Sequence, residues 1–436
     1  MSTTHLNVVD SLALLSTSIP TDASTSEVTN NSQVPRTIHE ALSPAFVDVW
    51  GPAVDSELSG FQKYQCFQPV PVPPEGIRTI PGHWLFSVKR NGTPKARFVM
   101  GGHRQRIGID YFEYKNYAAV LSSRDNRILL SWAAAQGMKV YQTDIQQAFL
   151  HGLLEEDIYI HPPARYPCPP GHVLKLLKAV YGLHQGPVQF KKEVTDWLRA
   201  EGYTPVNDSE TIWILRTEKG VLVHAIYADD FLHFCNSQEL YSEFKVKIKR
   251  KFDIKTGEVD NYLGNKITVN VEEGKVCLDQ VAYLDELLQK FGMDKSTPVK
   301  TPMEDRLSEA NRGKTLTKED QAKYRMIVGS LLYLSCWTRP DISFAVSELS
   351  RFVSSAGEVH MKAAQRVLRY LKGTRELGLQ CKKSNDQVNI LWGCVDSDWA
   401  GCLDARRSTS GYVLLFNGCA VSWKIQETIG SGFVFR

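Results

Sequence analysis

The feature that most constrains this fold is a pair of adjacent carboxylates between two apolar segments. Residues 221–226 are apolar and rich in β-branched side chains, and residues 231–234 resume the apolar pattern after Asp229 and Asp230. Apolar, β-branched runs of this length are typical of buried strands. The sequence therefore predicts a β-hairpin whose tip carries two acidic side chains.

Such an acidic tip suits a cation site. Adjacent carboxylates repel each other and lose hydration unless a cation neutralises them. Asp144 is a third candidate, because it lies near the end of a strand predicted at residues 139–145. Two Mg²⁺ ions roughly 4 Å apart can bind carboxylates, activate a hydroxyl and stabilise a leaving pyrophosphate. Spacing alone leaves a solvated turn as the alternative.

Length and composition indicate a globular protein of two or three domains. The chain has 436 residues, of which 43% are hydrophobic and 23% charged. Its formal net charge of +3 is compatible with a nucleic-acid partner and does not require one. Helical and strand patterns follow one another without strict alternation, which favours the α+β class.

The cysteines and apolar segments bear on cellular location. The nine cysteines are scattered and show no C-x-x-C spacing, so neither a disulfide framework nor a zinc site is expected. No basic segment precedes the short apolar run at residues 12–15, and no stretch reaches the ~18 apolar residues of a membrane span. We therefore expect a soluble, non-secreted protein in the cytoplasm or nucleus.

Several elements can be placed from local patterns. Residues 1–36 are rich in Ser, Thr and Asn and predict a disordered linker, after which Thr37 begins a helix. A proline-rich connector over residues 69–74 precedes a hairpin of residues 83–89 and 96–100, joined by an Asn-Gly turn. Further helices are predicted at residues 126–136, 240–252 and 278–291 and between 318 and 370, with a strand at 388–395.

Two groups of basic side chains are candidates for phosphate contacts. Lys95 and Arg97 alternate on one strand, so both project from the same face and suit triphosphate oxygens. Residues 245–251 carry five basic side chains that could follow a phosphate backbone. A solvated strand face and a solvated helix face are the respective alternatives.

Three motifs in order resemble the copia-type reverse transcriptases. Residues 143–152 resemble the first catalytic motif, an Asp followed by Ala-Phe-Leu-x-Gly, and residues 227–230 resemble the Tyr-x-Asp-Asp box. Between them, residues 180–187 resemble the segment Leu-Tyr-Gly-Leu-Lys-Gln-Ser-Pro. Shorter family motifs are matched at residues 95–99, 262–264, 329–333, 338–342 and 368–374, so that the resemblance spans roughly residues 40 to 426.

The resemblance implies a right-hand polymerase of fingers, palm and thumb, followed by a truncated RNase H-like domain. The implied divisions are a linker at 1–36, fingers and palm at 37–270, a helical thumb and connection at 271–385 and the RNase H-like part at 386–436. The implied activity is RNA-directed DNA polymerisation by a retrotransposon. Its partners would be an RNA template, a primer, the RNA–DNA hybrid and deoxynucleoside triphosphates.

The resemblance also implies roles for individual residues. Asp144 and Asp229 would be the main ligands of two Mg²⁺ ions, for which Mn²⁺ could substitute, and Asp230 would be the third carboxylate. The remaining implied contacts are with the nucleotide (Lys95, Arg97, Phe149 and Gln185) and with the primer (Leu263 and Gly264). The Phe149 ring would lie beneath the sugar and exclude a 2′-hydroxyl, although a buried core position is the alternative reading for a phenylalanine.

The resemblance to the family is incomplete near the C-terminus. Residues 394–401 resemble the opening of the family's RNase H domain, with Asp396 as its first metal ligand. The family's Ser-Thr-Glu-Ala-Glu-Tyr segment is absent after Glu427, so no RNase H activity is expected and residues 413–416 are expected to be exposed. His184, Gly186 and residues 189–190 also depart from the family pattern. A decayed or co-opted nucleic-acid-binding remnant is therefore the alternative function.

Overall fold

The computed structural model describes residues 34–73, 76–89, 92–112, 117–383 and 390–427. Helices and strands are interleaved without a regular repeat, which confirms the α+β class. Within the described residues, no helix combines the length and the apolar character needed to cross a lipid bilayer.

The helices lie close to the segments predicted as helical, except for Val47–Lys63 and Gly186–Ala200, which the sequence analysis did not predict. Their bounds are α1 Ile38–Ala41, α2 Val47–Lys63, α3 Ser123–Gln136, α4 Gly186–Ala200, α5 Gln238–Lys251, α6 Val281–Lys290, α7 Lys318–Trp337, α8 Ser343–Ser350 and α9 Glu358–Gly373. Short 3₁₀ helices occur at Gly102–Arg104, Ala148–His151 and Pro340–Ile342. The Thr37 hydroxyl accepts a hydrogen bond from the Glu40 N–H and caps α1, as its predicted position at a helix start requires.

The strands form antiparallel sheets. The first nine are β1 Phe67–Pro71, β2 Gly82–Val88, β3 Pro94–Met100, β4 Lys139–Ile145, β5 Tyr159–Ile160, β6 His172–Leu176, β7 Thr204–Pro205, β8 Ile212–Thr217 and β9 Gly220–Tyr227. The others are β10 Asp230–Cys235, β11 Ile254–Glu258, β12 Asn261–Tyr262, β13 Asn265–Asn270, β14 Lys275–Asp279, β15 Leu379–Lys382, β16 Leu391–Ser397, β17 Thr409–Phe416 and β18 Cys419–Glu427.

A central sheet of order β11-β4-β10-β9-β8-β7 positions the acidic residues. Alternate side chains of a strand point to opposite faces, and β10 follows this rule. Leu232 enters a core that contains Leu130 of α3. Phe231 enters a second core with Phe190 of α4 and Phe244 of α5. Because both faces are packed, the pairing register of these strands is fixed.

The region before the central sheet contains the predicted hairpin. β2 and β3 pair antiparallel, although Asn91 of the connecting turn lies outside the described residues. The predicted proline-rich connector is partly wrong, because Phe67–Pro71 forms strand β1 and pairs with β6. β1 is the edge strand of the sheet β1-β6-β5, where a proline without an N–H is tolerated. Pro74 lies outside the described residues.

Helices α6 to α9 form a core of their own. Tyr324, Leu331 and Leu368 are fully buried in it. The sheet β12-β13-β14-β15 packs instead in the core that contains Leu130 of α3. Ile267 of β13 pairs with Leu278 of β14 across the predicted boundary after residue 270. The helix predicted from residue 278 begins at Val281, because residues 278–279 complete β14. The domain boundaries remain predictions.

The C-terminal sheet has the order β16-β17-β18. Its exposure differs from the expectation, because residues 413–416 are half-buried in the central strand β17. The exposed apolar side chains lie instead on the edge strand β16, where Leu391 is 61% and Val395 63% exposed. Residues 388–389 of the predicted strand lie outside the described residues.

A disulfide joins Cys381 of β15 to Cys419 of β18. The cysteine spacing gave no indication of it, since the two residues are 38 positions apart and meet only because β18 docks beside β15. The sequence predicted no disulfide framework, but the structure contains a disulfide that joins two sheets.

Arg127 of α3 attaches the C-terminal sheet to the rest of the fold. Its guanidinium donates hydrogen bonds to the carbonyls of Val421 (2.9 Å) and Cys336 (2.7 Å) and lies 4.1 Å from the centre of the Trp423 ring. The indole N–H of Trp423 in turn donates to the Ser335 carbonyl at 2.8 Å. Arg127 is 5% exposed, so little water is available to replace these bonds.

We expect Arg127→Ala to lower the free energy of unfolding by about 2–4 kcal/mol, because it leaves buried carbonyls without donors. Urea unfolding followed by circular dichroism would measure this change. Arg124→Ala is the matched control, since Arg124 lies on the same helix and is exposed. It should change stability by less than about 0.5 kcal/mol. Equal effects of the two substitutions would contradict the role given to Arg127.

Candidate active site

The register of the central sheet brings the predicted carboxylates together. Asp144 of β4 is directly opposite Asp230 of β10, so both side chains lie on one face. Asp229 occupies the tight turn between β9 and β10, and its carbonyl accepts the Ile145 N–H at 3.0 Å. Ala228 in this turn has φ 52°, a left-handed conformation that costs roughly 1–2 kcal/mol without a glycine.

Burial acts on all three carboxyl groups, and repulsion from neighbouring carboxylates acts on Asp229 and Asp230. Burial raises the pKa of Asp144 and of Asp229, and the charge of Asp144 raises the Asp229 pKa further. Burial raises the pKa of Asp230 to about 7, with added repulsion from both neighbours. The Gln142 amide opposes this rise by donating to the two Asp230 carboxylate oxygens at 2.9 and 3.1 Å.

Cationic side chains face this acidic cluster from other strands. Lys95 and Arg97 of β3 both lower the pKa of Asp229, and Lys95 lowers that of Asp144, against the larger effect of burial. Lys255 of β11 is opposite Asp144 and also lowers its pKa. The structure thus brings the two predicted cations to the acidic turn. Sequence analysis missed Lys255 and Gln142, which only the strand register identifies.

The carboxylates can be tested for their fit to a metal ion. Across the described residues, no group of three or more His, Cys, Asp and Glu side chains is arranged to hold one. Mg²⁺, however, is usually held by one or two carboxylates, with water and substrate phosphate completing its octahedral shell. Asp144, Asp229 and Asp230 supply such oxygens, and a bound cation would relieve the repulsion that raises the pKa of Asp229 and of Asp230. They therefore fit Mg²⁺ shared with a phosphate ligand.

Phe149 lies just after the acidic strand. It belongs to the 3₁₀ helix Ala148–His151 and is half-buried, with its ring centre 5.4 Å from that of Tyr181 and 6.3 Å from that of Phe190. Arg97 lies over the same Tyr181 ring, at 5.5 Å from its centre. Phe149 is thus neither fully exposed nor fully in the core, and its contact with a sugar remains a prediction.

Gln185 is buried and already hydrogen-bonded within the protein. It is 2% exposed. Its amide nitrogen donates to the Asp110 carbonyl at 2.8 Å and to the Glu156 carboxylate at 3.2 Å, and its oxygen accepts from Gln105 at 2.8 Å. The predicted contact with a nucleotide would require some of these bonds to open.

The predicted primer-contact residues form the turn between β12 and β13. Leu263 and Gly264 have φ values of 50° and 77°. The Tyr333 hydroxyl of α7 donates to the Leu263 carbonyl, and a Cβ at position 264 would lie 2.5 Å from that hydroxyl oxygen. A glycine is therefore required here by both backbone conformation and contact. The turn links the central region to the helical core.

The predicted RNase H residue lies on the C-terminal sheet. Asp396 is exposed on the edge strand β16 and accepts the Ser397 N–H at 2.9 Å. Its neighbour Asp398 instead forms an ion pair with Arg306 and accepts the Thr409 N–H at 2.7 Å. Asp398 is therefore held by structural contacts, while Asp396 remains open to solvent.

The basic run lies on α5. Lys247 forms an ion pair with Glu201 at 2.7 Å, and Lys251 forms one with Glu193 at 3.1 Å. Lys249 and Arg250 are exposed. Two of these cations are therefore committed to acidic partners, which favours the solvated helix face, and a phosphate contact remains a prediction.

A buried polar chain crosses the opposite face of the central sheet. His224 and His233 are fully buried with their Nδ1 atoms 2.7 Å apart, and His233 Nε2 lies 2.8 Å from the Thr143 hydroxyl. Thr143 bonds in turn to Thr256 of β11 at 2.8 Å. Side chains from the four strands β9, β10, β4 and β11 are thus tied together behind the carboxylates. Burial lowers the pKa of His233 to about 3 and that of His224 well below its usual value.

These histidines predict a loss of stability in mild acid. The folded protein keeps both rings neutral, whereas the unfolded chain binds their protons below about pH 6.5. The free energy of unfolding should therefore fall from pH 6.5 toward pH 5 by about 1.4 kcal/mol per pH unit for each histidine. In urea unfolding at both pH values, His224→Gln should show a smaller decrease than the parent. The exposed-site control His83→Gln should keep the full decrease, and equal decreases in both variants would contradict this account.

The acidic cluster lies within a segment that matches a known protein family. Residues 64–305 match the model of a family described as reverse transcriptase (RNA-dependent DNA polymerase). This segment covers more than half of the chain and contains Asp144, Asp229 and Asp230, together with Lys95 and Arg97. The matched residues therefore include the cluster and the cations that face it.

Individual relatives are similar over a greater length. The chain is 32% identical over 92% of its length to the retrovirus-related Pol polyprotein from transposon TNT 1-94 of Nicotiana tabacum, of which it covers 31%. It is 34% identical over 91% of its length to the retrovirus-related Pol polyprotein from transposon RE1 of Arabidopsis thaliana, of which it covers 27%. The chain thus spans about three-tenths of these curated relatives. A solved foamy viral protease-reverse transcriptase in complex with RNA/DNA hybrid aligns with a TM-score of 0.45 and 11% identity, covering 87% of this chain and 43% of that one.

Proposed function

Because this chain belongs to the reverse transcriptase (RNA-dependent DNA polymerase) family, we propose that it extends a primer with deoxynucleotides along an RNA template. The observation that carries the proposal is the pairing of Asp144 with Asp230 beside the Asp229 turn, faced by Lys95 and Arg97. Acidic and basic groups on one face match the two parts of a metal-bound triphosphate. A copia-type retrotransposon would use this reaction to copy its RNA into DNA.

Each part of the site has a proposed task. Lys95 and Arg97 bind the triphosphate oxygens. Asp144 and Asp229 would hold two Mg²⁺ ions, with Asp230 contributing negative charge, and the bound ions supply stabilisation of charge on the attacking and leaving oxygens. The Phe149 ring supports the sugar and Gln185 contacts the nucleotide or template. The Leu263–Gly264 turn holds the primer strand. The partners of this reaction are an RNA template, a primer, the RNA–DNA hybrid and deoxynucleoside triphosphates.

Primer extension on poly(rA)–oligo(dT) with Mg²⁺ and dTTP tests the proposal. The parent should extend the primer, and Asp229→Asn should reduce the rate on the order of 10³-fold, corresponding to about 4 kcal/mol of lost transition-state stabilisation. Asp208→Asn is the matched control, because it makes the same change at an exposed aspartate. No extension by a folded parent that still binds the hybrid would favour the alternative, a nucleic-acid-binding remnant without catalysis.

Phe149→Val tests the contact with the sugar. If the ring excludes a 2′-hydroxyl, the variant should incorporate ribonucleotides about 10–100-fold better relative to deoxynucleotides. The ratio of kcat/KM for rUTP and dTTP measures this selectivity. An equal fall in both values would instead assign Phe149 to the packing around Tyr181 and Phe190.

We also propose that this chain does not degrade RNA within the hybrid. Asp396 is exposed on an edge strand, and its ion-paired neighbour Asp398 is committed to Arg306. A two-metal nuclease needs several carboxylates around its ions. A labelled RNA strand in an RNA–DNA hybrid should remain intact with the parent in Mg²⁺. Degradation that is lost in Asp396→Asn would overturn this statement.

A further inference from the structure

Helix α2 contacts the strand that faces the acidic cluster, although the helix lies outside the matched family region. It ends at Lys63, and the match begins at residue 64. One face of α2 packs through Phe61 against Phe98 of β3, with their ring centres 6.4 Å apart. β3 is the strand that carries Lys95 and Arg97. The helix is thus in contact with the strand that faces the carboxylates.

Glu57 is the charged residue on this face of the helix. It is 8% exposed, and one of its carboxylate oxygens accepts the Phe98 N–H at 3.1 Å. Burial raises the Glu57 pKa, while hydrogen bonds from the Phe98 N–H and the Gln147 side chain and the charges of Arg97 and Lys95 oppose the rise. A buried carboxylate with these partners binds both β3 and the segment that follows Asp144.

Gly60 makes room for that segment. A Cβ at position 60 would lie 2.0 Å from the Gln147 side-chain nitrogen, so the amide occupies the space that the glycine leaves. Gln147 itself has φ 50°, a left-handed conformation that needs support from its surroundings. Gly60 and Glu57 therefore hold the Gln147 amide from one helix, three residues after Asp144.

The C-terminal end of α2 makes a second attachment to the same segment. Lys63 and Tyr64 both bind the carboxylate of Asp253. The carbonyl of Asp253 accepts the Gln146 N–H at 2.8 Å. Asp253 also directly precedes β11, which places Lys255 opposite Asp144. Two separate sets of contacts thus connect α2 to residues 146–147.

We propose that Glu57 is a positioning residue, which with Gly60 holds the turn at Gln147 and strand β3 together. The contacts fix the distance between the cations of β3 and the carboxylates of the central sheet. This inference rests on the proposed polymerase function for its effect on nucleotide binding, because Lys95 and Arg97 would bind the triphosphate. The contact itself can be measured without any activity.

A double-mutant cycle isolates this contact. Gly60→Ala should push the Gln147 amide away from Glu57 while leaving Glu57, Lys95 and Arg97 in place. Amide hydrogen exchange over residues 145–150 should then increase, and the KM for dTTP should rise about 10-fold with little change in kcat. In a Gln147→Ala background, Gly60→Ala should add no further effect, because the displaced side chain is already absent.

Controls separate positioning from general destabilisation. Gly329→Ala is matched to Gly60→Ala, since Gly329 lies inside α7 and a Cβ there would meet open space. It should leave exchange and KM unchanged. Glu57→Gln keeps an acceptor for the Phe98 N–H and should retain more nucleotide affinity than Glu57→Ala. Asp48→Asn, a change at an exposed position of α2, should resemble the parent.

The outcomes distinguish this inference from the polymerase proposal. If Gly60→Ala speeds exchange at residues 145–150 and the parent does not extend primers, the positioning contact is supported and the polymerase function is overturned. Unchanged exchange and an unchanged KM in Gly60→Ala would overturn the positioning role, whatever the parent does. A lower unfolding temperature and a lower active fraction with an unchanged KM would also overturn it, because they indicate a purely structural role.

Discussion

The pairing register of β4 with β10 is the constraint on which the rest of this structure depends. It places Asp144 opposite Asp230, while the Ile145 N–H holds the backbone of Asp229 at the turn. A slip of one residue would turn Asp144 toward the core that now receives Tyr141 and Ile145. The same slip would move those apolar side chains out of their core, so the packing that stabilises the sheet also keeps the carboxylates on one face.

Electrostatics then make the acidic cluster dependent on neighbouring elements. Burial raises the pKa of each carboxyl group, and repulsion raises that of Asp229 and Asp230 further. The opposing charges come from Lys95 and Arg97 on β3 and from Lys255 on β11. Because β3 belongs to a separate two-stranded sheet, its placement needs contacts outside the central sheet. Helix α2 supplies such contacts, and the buried Glu57 joins its own helix to β3.

The segments on either side of the central sheet are integral to the fold. At one end, Lys63 and Tyr64 attach α2 to Asp253, next to the strand that carries Lys255. At the other end, Arg127 joins α3 to the C-terminal sheet through the Val421 carbonyl and the Trp423 ring. Both attachments use charged side chains that bind backbone or carboxylate groups far away in the sequence. The family match covers residues 64–305, and elements outside this range, α2 and the C-terminal sheet, also contribute contacts that stabilise the fold.

The sequence by itself determined the elements whose signals are local. Strand Lys139–Ile145 and the acidic turn follow from apolar patterning, and the predicted helices lie within a few residues of their observed bounds, because periodicity reflects which face is buried. Helices α2 and α4 were not predicted. Motif order identified the family and predicted the roles of the carboxylates. Only the tertiary structure placed Lys255 opposite Asp144, joined Cys381 to Cys419 and brought Glu57 to the turn at Gln147. These partners are far apart along the chain, and no local pattern records a contact that strand register and helix docking create.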